Sequence, residues 1–570
     1  MNNEDIFTIL QNIAYLLEIK GENFFKIRAY RMAAESIEEL PDDTVNNMSQ
    51  EALEKLPHVG SAIAKKITEY QETGSIEYYE TLKKEIPIEL LQFLKIPTLG
   101  PKKIATIYKH LGITTISELQ NAAKQGNLQD LEGFGKITEM NILRGIRFTQ
   151  KTQGRALLVH ADETAQRYVH YLTSSPFVES CHIAGSLRRM KETIGDIDIL
   201  ITSKEPDTVM NYFIAYPEVN RIIAKGHTKT TVLLDNHIQV DVRVVQKESM
   251  GAALQYFTGS KEHNVSIRSL ALKKGYKLNE YGLYHKKNDQ LITGSNEEDI
   301  YREIGLDYIP SELRENRGEV EAAENHNLPT LIQQKNIQGD LHIHSTWSDG
   351  MHTIPEIIEQ VEKMNYSYVG ITDHSQSLQI AKGLRPHQVE QKINEIQSIN
   401  TETNIQVFCG TECDILKDGT LDYPDRVLEL FDYVIIGIHM GFSMNKKEAT
   451  SRILKAMEHP SVTLLAHPTC RMIGHREPLP LDMSALFQKA VDTNTALEIN
   501  SFPDRLDLTD YHVKQAKEYG VRFFIDTDAH APHHLQYIKY GVATARRGWL
   551  EKKDVINTLP LTKLERYLSS

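Results

Sequence analysis

The sequence is short of cysteine, has two tryptophans and contains no long apolar run; the first and last of these shortages each remove a class of protein. Four cysteines in 570 residues (Cys181, Cys409, Cys413 and Cys470) are too few and too scattered for a disulfide framework. Cys409 and Cys413 lack the second pair that a thiolate zinc site needs. No window is apolar for ~18 residues, which leaves no transmembrane helix. The acidic start MNNEDIFTIL lacks the basic beginning of a signal peptide. These absences read as a reducing, cytoplasmic protein. Positive charge is also in deficit: 64 Lys and Arg face 77 Asp and Glu, a net of −13, which taken alone argues against nucleic acid. The total conceals an uneven distribution. Residues 101–150 carry seven basic against four acidic side chains, and local patches decide phosphate contact. Histidine is lopsided too, with 14 of 23 after residue 300.

The length predicts several domains. Residues 1–85 read as helices, with apolar positions at 3–4 spacing in IFTILQNIAYLLEI and IRAYRMAAESIEEL. Three turn-then-helix units share one pattern: LPHVGSAIAKKITEY (56–70), IPTLGPKKIATIYKHLGI (96–113) and LEGFGKITEMNILRGI (131–146). In each, a tight turn ends in Gly60, Gly100 or Gly135 and a helix follows. From about 155 the pattern turns β-rich, in FVESCHIAGSLRR, DIDILIT and HIQVDVRVV. The charged, polar stretch 310–338 holds the expected linker, and after it short apolar runs alternate with helical stretches, as in a β/α architecture. The fold class expected is multidomain, α+β followed by α/β.

In GDIDIL, Asp196 and Asp198 share one face of a strand, with Ile197 and Ile199 opposite. Asp241, in QVDVRVV, is a candidate third donor from another strand. Three hard oxygen ligands suit magnesium or manganese, and two such ions would stabilise an in-line attack on phosphate. The preceding GSLRR can offer backbone N–H groups from Gly185 and Ser186, and charge from Arg188 or Arg189, to a triphosphate.

The histidines after residue 300 follow a second rule. GDLHIHSTWSDG carries His342, His344 and Asp349, the two histidines on one strand face. Further polar residues sit just past apolar runs: His374 after YVGIT, Glu412 in VFCGTE, His439 after YVIIGI, His467 after VTLLA, and Asp528 and His530 in RFFIDTDAH. ALEINS adds Asn500 and Ser501. Seven strand-like runs with polar carboxyl ends are how a β/α barrel assembles a site on one face. Six histidines, two aspartates and a glutamate without thiolate suit zinc, manganese or iron in a catalytic setting. Asp526 is a weaker candidate than Asp528, and Arg471, four after His467, is a candidate phosphate contact.

The run GS-x-RR, GDIDIL, VDVR and YFTGS resembles the family X DNA polymerases from the first helix to about residue 315. The resemblance implies that Asp196, Asp198 and Asp241 form a two-metal triad holding magnesium or manganese. It implies that Gly185, Ser186, Arg189 and Gly195 bind the triphosphate. Tyr256, Phe257 and Gly259 of YFTGS would pack on the nucleotide sugar, and Asn264 and Arg268 would meet nucleotide and template in the minor groove. KLNEYGLY (277–284) is similar to an element of the family's thumb. The glycine turns then resemble helix-hairpin-helix units, with Gly60, Gly100 and Gly135 presenting helix N-termini to DNA phosphates. Lys26 and Tyr30 align with a 5′-phosphate pocket and Lys66 with a lyase nucleophile, although Ala62 stands where relatives often keep another lysine.

The second half resembles the polymerase and histidinol phosphatase (PHP) family, a distorted seven-stranded β/α barrel with up to three metals, here manganese, zinc or iron. The resemblance implies one ion held by His342, His344, Glu412 and Asp528, a second by Glu412, His439 and His467, and a third by Asp349, His374 and His530. Clustered cations activate water and neutralise phosphoryl oxygens, so phosphoester hydrolysis is implied.

The domains expected are an N-terminal helical domain (1–85), fingers (86–150), a nucleotidyltransferase palm (151–250), a thumb (251–315), a linker (316–338) and the PHP domain (339–570). Together they resemble bacterial family X polymerases with a C-terminal PHP domain, acting in DNA repair as a monomer. The expected partners are gapped or nicked DNA with a 5′-phosphate and deoxynucleoside triphosphates. The polymerase would fill gaps, and the barrel would remove nucleotides from 3′ ends; cleavage at abasic sites is the further activity open to it. Alternatives remain a template-independent nucleotidyltransferase, a barrel acting on small phosphoesters, or an inert barrel.

Overall fold

The structure, a computed structural model, describes residues 3–38, 40, 44–45, 48–96, 99–131, 133–152 and 154–569. Pro97, Thr98 and Glu132, from the second and third glycine-turn motifs, lie outside the described residues. The chain divides into two compact units, Met1–Gln153 with Gly474–Glu477, and Gly154–Ile473 with Pro478–Ser570.

The first unit is helical. Asn3–Lys20 and Phe24–Glu38 lie against each other, and Ile6, Leu10, Ile13 and Leu17, spaced three or four apart, are fully buried. Helices Ser61–Thr73 and Pro101–Leu111 start directly after Gly60 and Gly100, whose backbones are extended and supply no side-chain cap. Each ends in a glycine with left-handed backbone, Gly74 (φ 72°) and Gly112 (φ 63°), which closes the last turn without Cβ strain. The third turn likewise leads from Gly135 into Lys136–Thr152.

The second unit holds three sheets relevant to function. A five-stranded sheet contains β1 (Ser180–Ile183), β2 (Asp196–Thr202), β3 (Val219–Lys225), β4 (Lys229–Leu234) and β5 (Gln239–Val245), in the order β1-β2-β5-β4-β3. Only β2 and β5 run parallel, and their register sets Asp198 beside Asp241. Ile197, Ile199, Val240 and Val242 are fully buried, so the two acidic positions stay on the opposite face. Three short antiparallel strands, β6 (Tyr276–Asn279), β7 (Gly282–His285) and β8 (Leu291–Thr293), follow.

The third sheet has seven parallel strands in sequential order: β9 (Gly339–Ile343), β10 (Tyr368–Ile371), β11 (Gln406–Asp414), β12 (Tyr433–Gly437), β13 (Val462–Leu465), β14 (Ala496–Asn500) and β15 (Phe523–Asp526). Nearly every residue in these strands is buried, as expected where helices cover a parallel sheet. A parallel bridge between Ile343 and Ala529 brings the first strand to the last, giving a nearly closed barrel. The barrel shares a core with the five-stranded sheet: Ile473, Leu506 and Tyr540 pack in one cluster with Leu158, Tyr168, Ile197 and Val240.

The expected linker at 316–338 is folded instead. Glu319–Glu324 is a helix, and fully buried Glu319 accepts the His263 Nδ1 proton at 2.7 Å and the N–H groups of Asn316 and Arg317. A charged composition suggested solvation, but the charges have partners inside the fold. Among the described residues, no helix is long and apolar enough to cross a membrane.

Candidate functional site

Asp196 and Asp198 line a cleft of about 530 Å³ together with Gly185, Ser186, Arg189, Tyr256, Phe257, Gly259, Asn264 and Arg268. Sequence-distant candidates thus converge. Gly185 has φ +64°, and a Cβ there would lie 2.2 Å from Asp198 Oδ2, so only glycine lets the turn pass the carboxylate. Gly259 also has a backbone (φ +70°) that suits glycine, beside the Arg189 guanidinium. Burial, and then the charges of Asp196 and Asp241, push the Asp198 carboxyl up to about 7. Crowded carboxylates of this kind fit a cation.

Asp241 stands beside Asp198 in register and adds its charge there, and its own carboxylate has two donors. It does not line the cleft: its Oδ2 is 2.8 Å from Lys229 Nζ, and its Oδ1 accepts from Gln239 Nε2 at 3.2 Å. Neither arginine of GSLRR is free. Arg188 donates to Thr258 Oγ1 (2.7 Å) and to Glu297 (3.0 and 2.8 Å), while Arg189 donates to the Thr258 carbonyl and to Glu315 Oε1 (3.0 Å). Asn264 fastens the YFTGS turn, donating to the Tyr256 carbonyl at 2.7 Å, and Arg268 bonds back to the Asn264 carbonyl. Gly195 lies near the Arg155 guanidinium, a cleft residue that sequence reasoning missed. Arg155 bonds Thr193 (2.9 and 2.5 Å), two residues before the GDID motif.

In the helical unit, Gly60, Gly100 and Gly135 are exposed, and a Cβ at any of them would meet nothing within 4 Å. Internal packing therefore does not require glycine there. Lys26 and Lys66 both sit over the Tyr78 ring, at 5.3 and 5.2 Å, with Tyr30 stacked on the same ring. Burial lowers the Lys66 pKa, and Lys26 and Lys65 add to the effect against Glu69.

The barrel gathers its candidates on the carboxyl ends of the strands. Glu412, in β11, is central: its Oε2 lies 3.1–3.6 Å from His342, His344 and His374, and its Oε1 is 3.1 Å from His439 and 2.8 Å from His467. Burial pushes this carboxyl up, and His439, His342 and His374 more than reverse it, holding it well below the usual range. Three sets of side chains bring their ligand atoms within 4.8 Å of one another: His342, His344, Glu412 and Asp528; His344, Asp349, His374 and His530; and His374, Glu412 and His439. The first is the grouping expected. The second contains the expected Asp349, His374 and His530 and adds His344; in the last, His374 stands where His467 was expected, and among the described residues His467 belongs to no set. His342 Nε2, both nitrogens of His344, His374 Nδ1 and His467 Nδ1 are buried without a hydrogen-bond partner among the described residues. Orphaned imidazole nitrogens converging on carboxylates fit metal ions. His467 (φ 28°) and Asp528 (φ 54°) have left-handed backbones.

Supporting residues escaped the sequence reading. Fully buried Glu498 accepts from His342 Nδ1 at 2.6 Å and from the His467 N–H at 2.5 Å. Asp414 takes the Nδ1 proton of His439 at 2.9 Å. Asp373, paired with buried Lys392 at 2.9 Å, accepts from Ser345 and Ser348 and so shapes the loop carrying Asp349. Arg505 lies 3.4 Å from Asp528 Oδ2. Strand alternation would have flagged Glu498, two before Asn500, and Asp414, two after Glu412. Asp526 is in none of these sets: its Oδ1 accepts from the Leu341 N–H at 2.9 Å, and burial and Asp340 hold its carboxyl well above the usual range. Arg471, expected near phosphate, donates instead to Glu192 (2.8 Å) and the Leu506 carbonyl (2.5 Å).

Four family matches cover most of the chain: a helix-hairpin-helix domain over residues 1–76, a SAM-like helix-hairpin-helix tandem over 89–147, a DNA polymerase beta thumb over 253–315 and a PHP domain over 340–501. The chain is 39% identical to the DNA polymerase/3′-5′ exonuclease PolX of Bacillus subtilis (strain 168), over 100% of this chain and 99% of that protein. It is 27% identical to DNA polymerase lambda of Rattus norvegicus over 44% of this chain and 46% of that one. A probable phosphatase of Syntrophotalea carbinolica is 32% identical over 28% of this chain and 65% of its own length.

Proposed function

The chain belongs to the family X DNA polymerases that carry a C-terminal PHP domain, and from this premise we propose that it fills short gaps in DNA and trims 3′ ends during repair. The observation that carries the reading is one chain holding both an acidic cleft at Asp196 and Asp198 and, around Glu412, buried histidines with ring nitrogens that have no hydrogen-bond partner among the described residues. Family membership implies divalent metal at both sites, DNA as partner and deoxynucleoside triphosphates as substrates.

In the polymerase cleft, magnesium or manganese would supply charge for an in-line transfer, held by Asp196, Asp198 and an Asp241 released from Lys229. The chain's own groups bind and orient. Gly185 and Ser186 present a turn to the triphosphate, Arg189 adds charge, and Tyr256, Phe257 and Gly259 form the wall for the sugar. Gly60, Gly100 and Gly135 open helix N-termini to backbone phosphates on gapped or nicked DNA. Lys26 and Tyr30 belong to a 5′-phosphate pocket in which Lys66, with its lowered pKa, is the candidate lyase nucleophile.

In the barrel, manganese, zinc or iron would supply activated water and a positive seat for phosphate. Glu498 and Asp414 hold the Nδ1 protons of His342 and His439 and so turn each Nε2 inward. Cleavage at abasic sites would use the same cluster. The protein is taken as a cytoplasmic monomer.

The test follows a labelled primer on one-nucleotide-gapped DNA with magnesium or manganese, with and without nucleotides. Extension should vanish in Asp196→Ala/Asp198→Ala and 3′ shortening in His342→Ala/His344→Ala, each sparing the other activity. Shortening that survives the histidine changes would refute the barrel's role. The likeness to a probable phosphatase favours small phosphoesters as the second reading, with the same variants run on those substrates.

A further inference from the structure

The barrel reaches the polymerase cleft through a chain of charged contacts. Arg547 ends the barrel helix Ile538–Arg547 and is only 4% exposed. Its Nη1 donates to the Arg189 carbonyl at 2.6 Å and to Glu315 Oε1 at 3.0 Å, and its Nη2 donates to Asp510 Oδ2 at 2.7 Å. Glu315 Oε1 is the same oxygen that accepts from Arg189 Nε at 3.0 Å. Asp510, at the start of the helix Asp510–Tyr519, also takes Arg317 Nη1 at 3.0 Å. One carboxylate oxygen is thus shared between a cleft arginine and a barrel arginine. A buried guanidinium is costly unless its donors are used, and Arg547 uses them on both elements.

We propose that Arg547 is a positioning residue for nucleotide binding: a barrel side chain that sets the charge and place of Arg189 in the polymerase cleft. This rests on the reading of Arg189 as a triphosphate contact. With Arg547 present, Glu315 divides its charge between two arginines, and the Arg189 guanidinium keeps positive potential for a triphosphate. Without it, Glu315 pairs with Arg189 alone, apart from Lys191 at 3.9 Å, and neutralises it. The Arg189 carbonyl also loses its donor, which loosens the turn that presents Gly185 and Ser186. Among the described residues, Arg547 is the donor recorded on that carbonyl. The barrel would therefore affect polymerisation through structure as well as through its own chemistry.

Steady-state nucleotide insertion on gapped DNA tests this with full-length Arg547→Met, Arg547→Lys, Arg189→Met and the Arg547→Met/Arg189→Met double variant. Arg547→Met should raise the nucleotide KM by roughly tenfold, the scale of one charged hydrogen bond. Its kcat should stay within about twofold, since uniform binding is what is lost. Arg547→Lys should recover part of the KM, and Arg547→Met should raise the KM less in the Arg189→Met background than in the wild type, since only the contact to the backbone carbonyl is left to lose. Metal-dependent 3′ shortening, measured on each protein, reports a folded barrel and should be unchanged. An unchanged KM in both Arg547 variants, while Arg189→Met raises it, overturns the proposal. A parallel fall in kcat and in 3′ shortening overturns it too, marking Arg547 as purely structural. If Arg189→Met leaves KM unchanged, the triphosphate reading itself fails, and the role of Arg547 with it.

Discussion

Replacing Glu498 by Gln keeps its shape and removes one charge, and the surrounding donors make the consequence calculable. Glu498 is fully buried and accepts three protons, from His342 Nδ1 (2.6 Å), the His467 N–H (2.5 Å) and Asn500 Nδ2 (3.2 Å). A glutamine amide has one accepting oxygen. If that oxygen faces His342, the NH₂ group confronts the His467 N–H and the Asn500 amide, donor against donor. If the amide is reversed, His342 must accept at Nδ1 and carry its proton on Nε2, the nitrogen facing Glu412 and Asp528. Either way a ligand is misoriented or protonated where a metal should bind. Loss of such an orienting partner typically costs 10–100-fold in metal affinity, about 1.4–2.8 kcal/mol. Manganese titration of 3′ shortening should therefore shift its midpoint by roughly that factor, while gap filling at saturating magnesium is unchanged. A Glu498→Gln protein with the wild-type midpoint and rate would refute the claim that Glu498 sets the tautomer of His342.

Three further changes probe other parts of the molecule. In Gly185→Ala, the φ of +64° adds about 1–2 kcal/mol of strain and the new Cβ meets Asp198 Oδ2, so gap filling should fall on the order of 10²-fold while 3′ shortening persists. At Gly437 a Cβ would lie 2.8 Å from Glu412 Oε1 and 3.0 Å from His439, so Gly437→Ala should lower metal content and 3′ shortening, read by elemental analysis and the primer assay, with gap filling spared. Burial raises the Glu297 carboxyl, but Arg314 and the hydrogen bonds from Arg188 and Arg314 outweigh it and hold the group at about 2. A depressed carboxylate stabilises the fold above its ordinary pKa near 4.5, and that contribution, about 3 kcal/mol, is lost as pH falls from about 4.5 toward 2. Urea melts across that range should flatten in Glu297→Gln; a wild-type slope in the variant would contradict the assignment.

Periodicity and residue chemistry made much of this protein readable from its sequence. Alternation placed Asp196 with Asp198 and His342 with His344, because a strand of period two leaves no other choice. The repeated apolar run with a polar end gave the seven barrel strands and, with them, the residues that converge on Glu412. Pairings between distant segments could not be read that way. The register sets Asp241 beside Asp198, but its carboxylate is paired with Lys229, which comes from two residues along the other neighbouring strand. Which histidines share a set depends on barrel curvature, so His374 keeps its place with Asp349 and His530 and also stands beside Glu412 and His439, where His467 was expected. Glu498 and Asp414 look like ordinary strand residues until their carboxylates are seen against histidine Nδ1 atoms. The charged stretch after residue 315 looked like a solvated linker because composition records charges and not their partners. Glu319 against His263, and Glu315 between Arg189 and Arg547, are pairs that only tertiary structure assembles, since a carboxylate enters a core only where the fold delivers a donor to meet it.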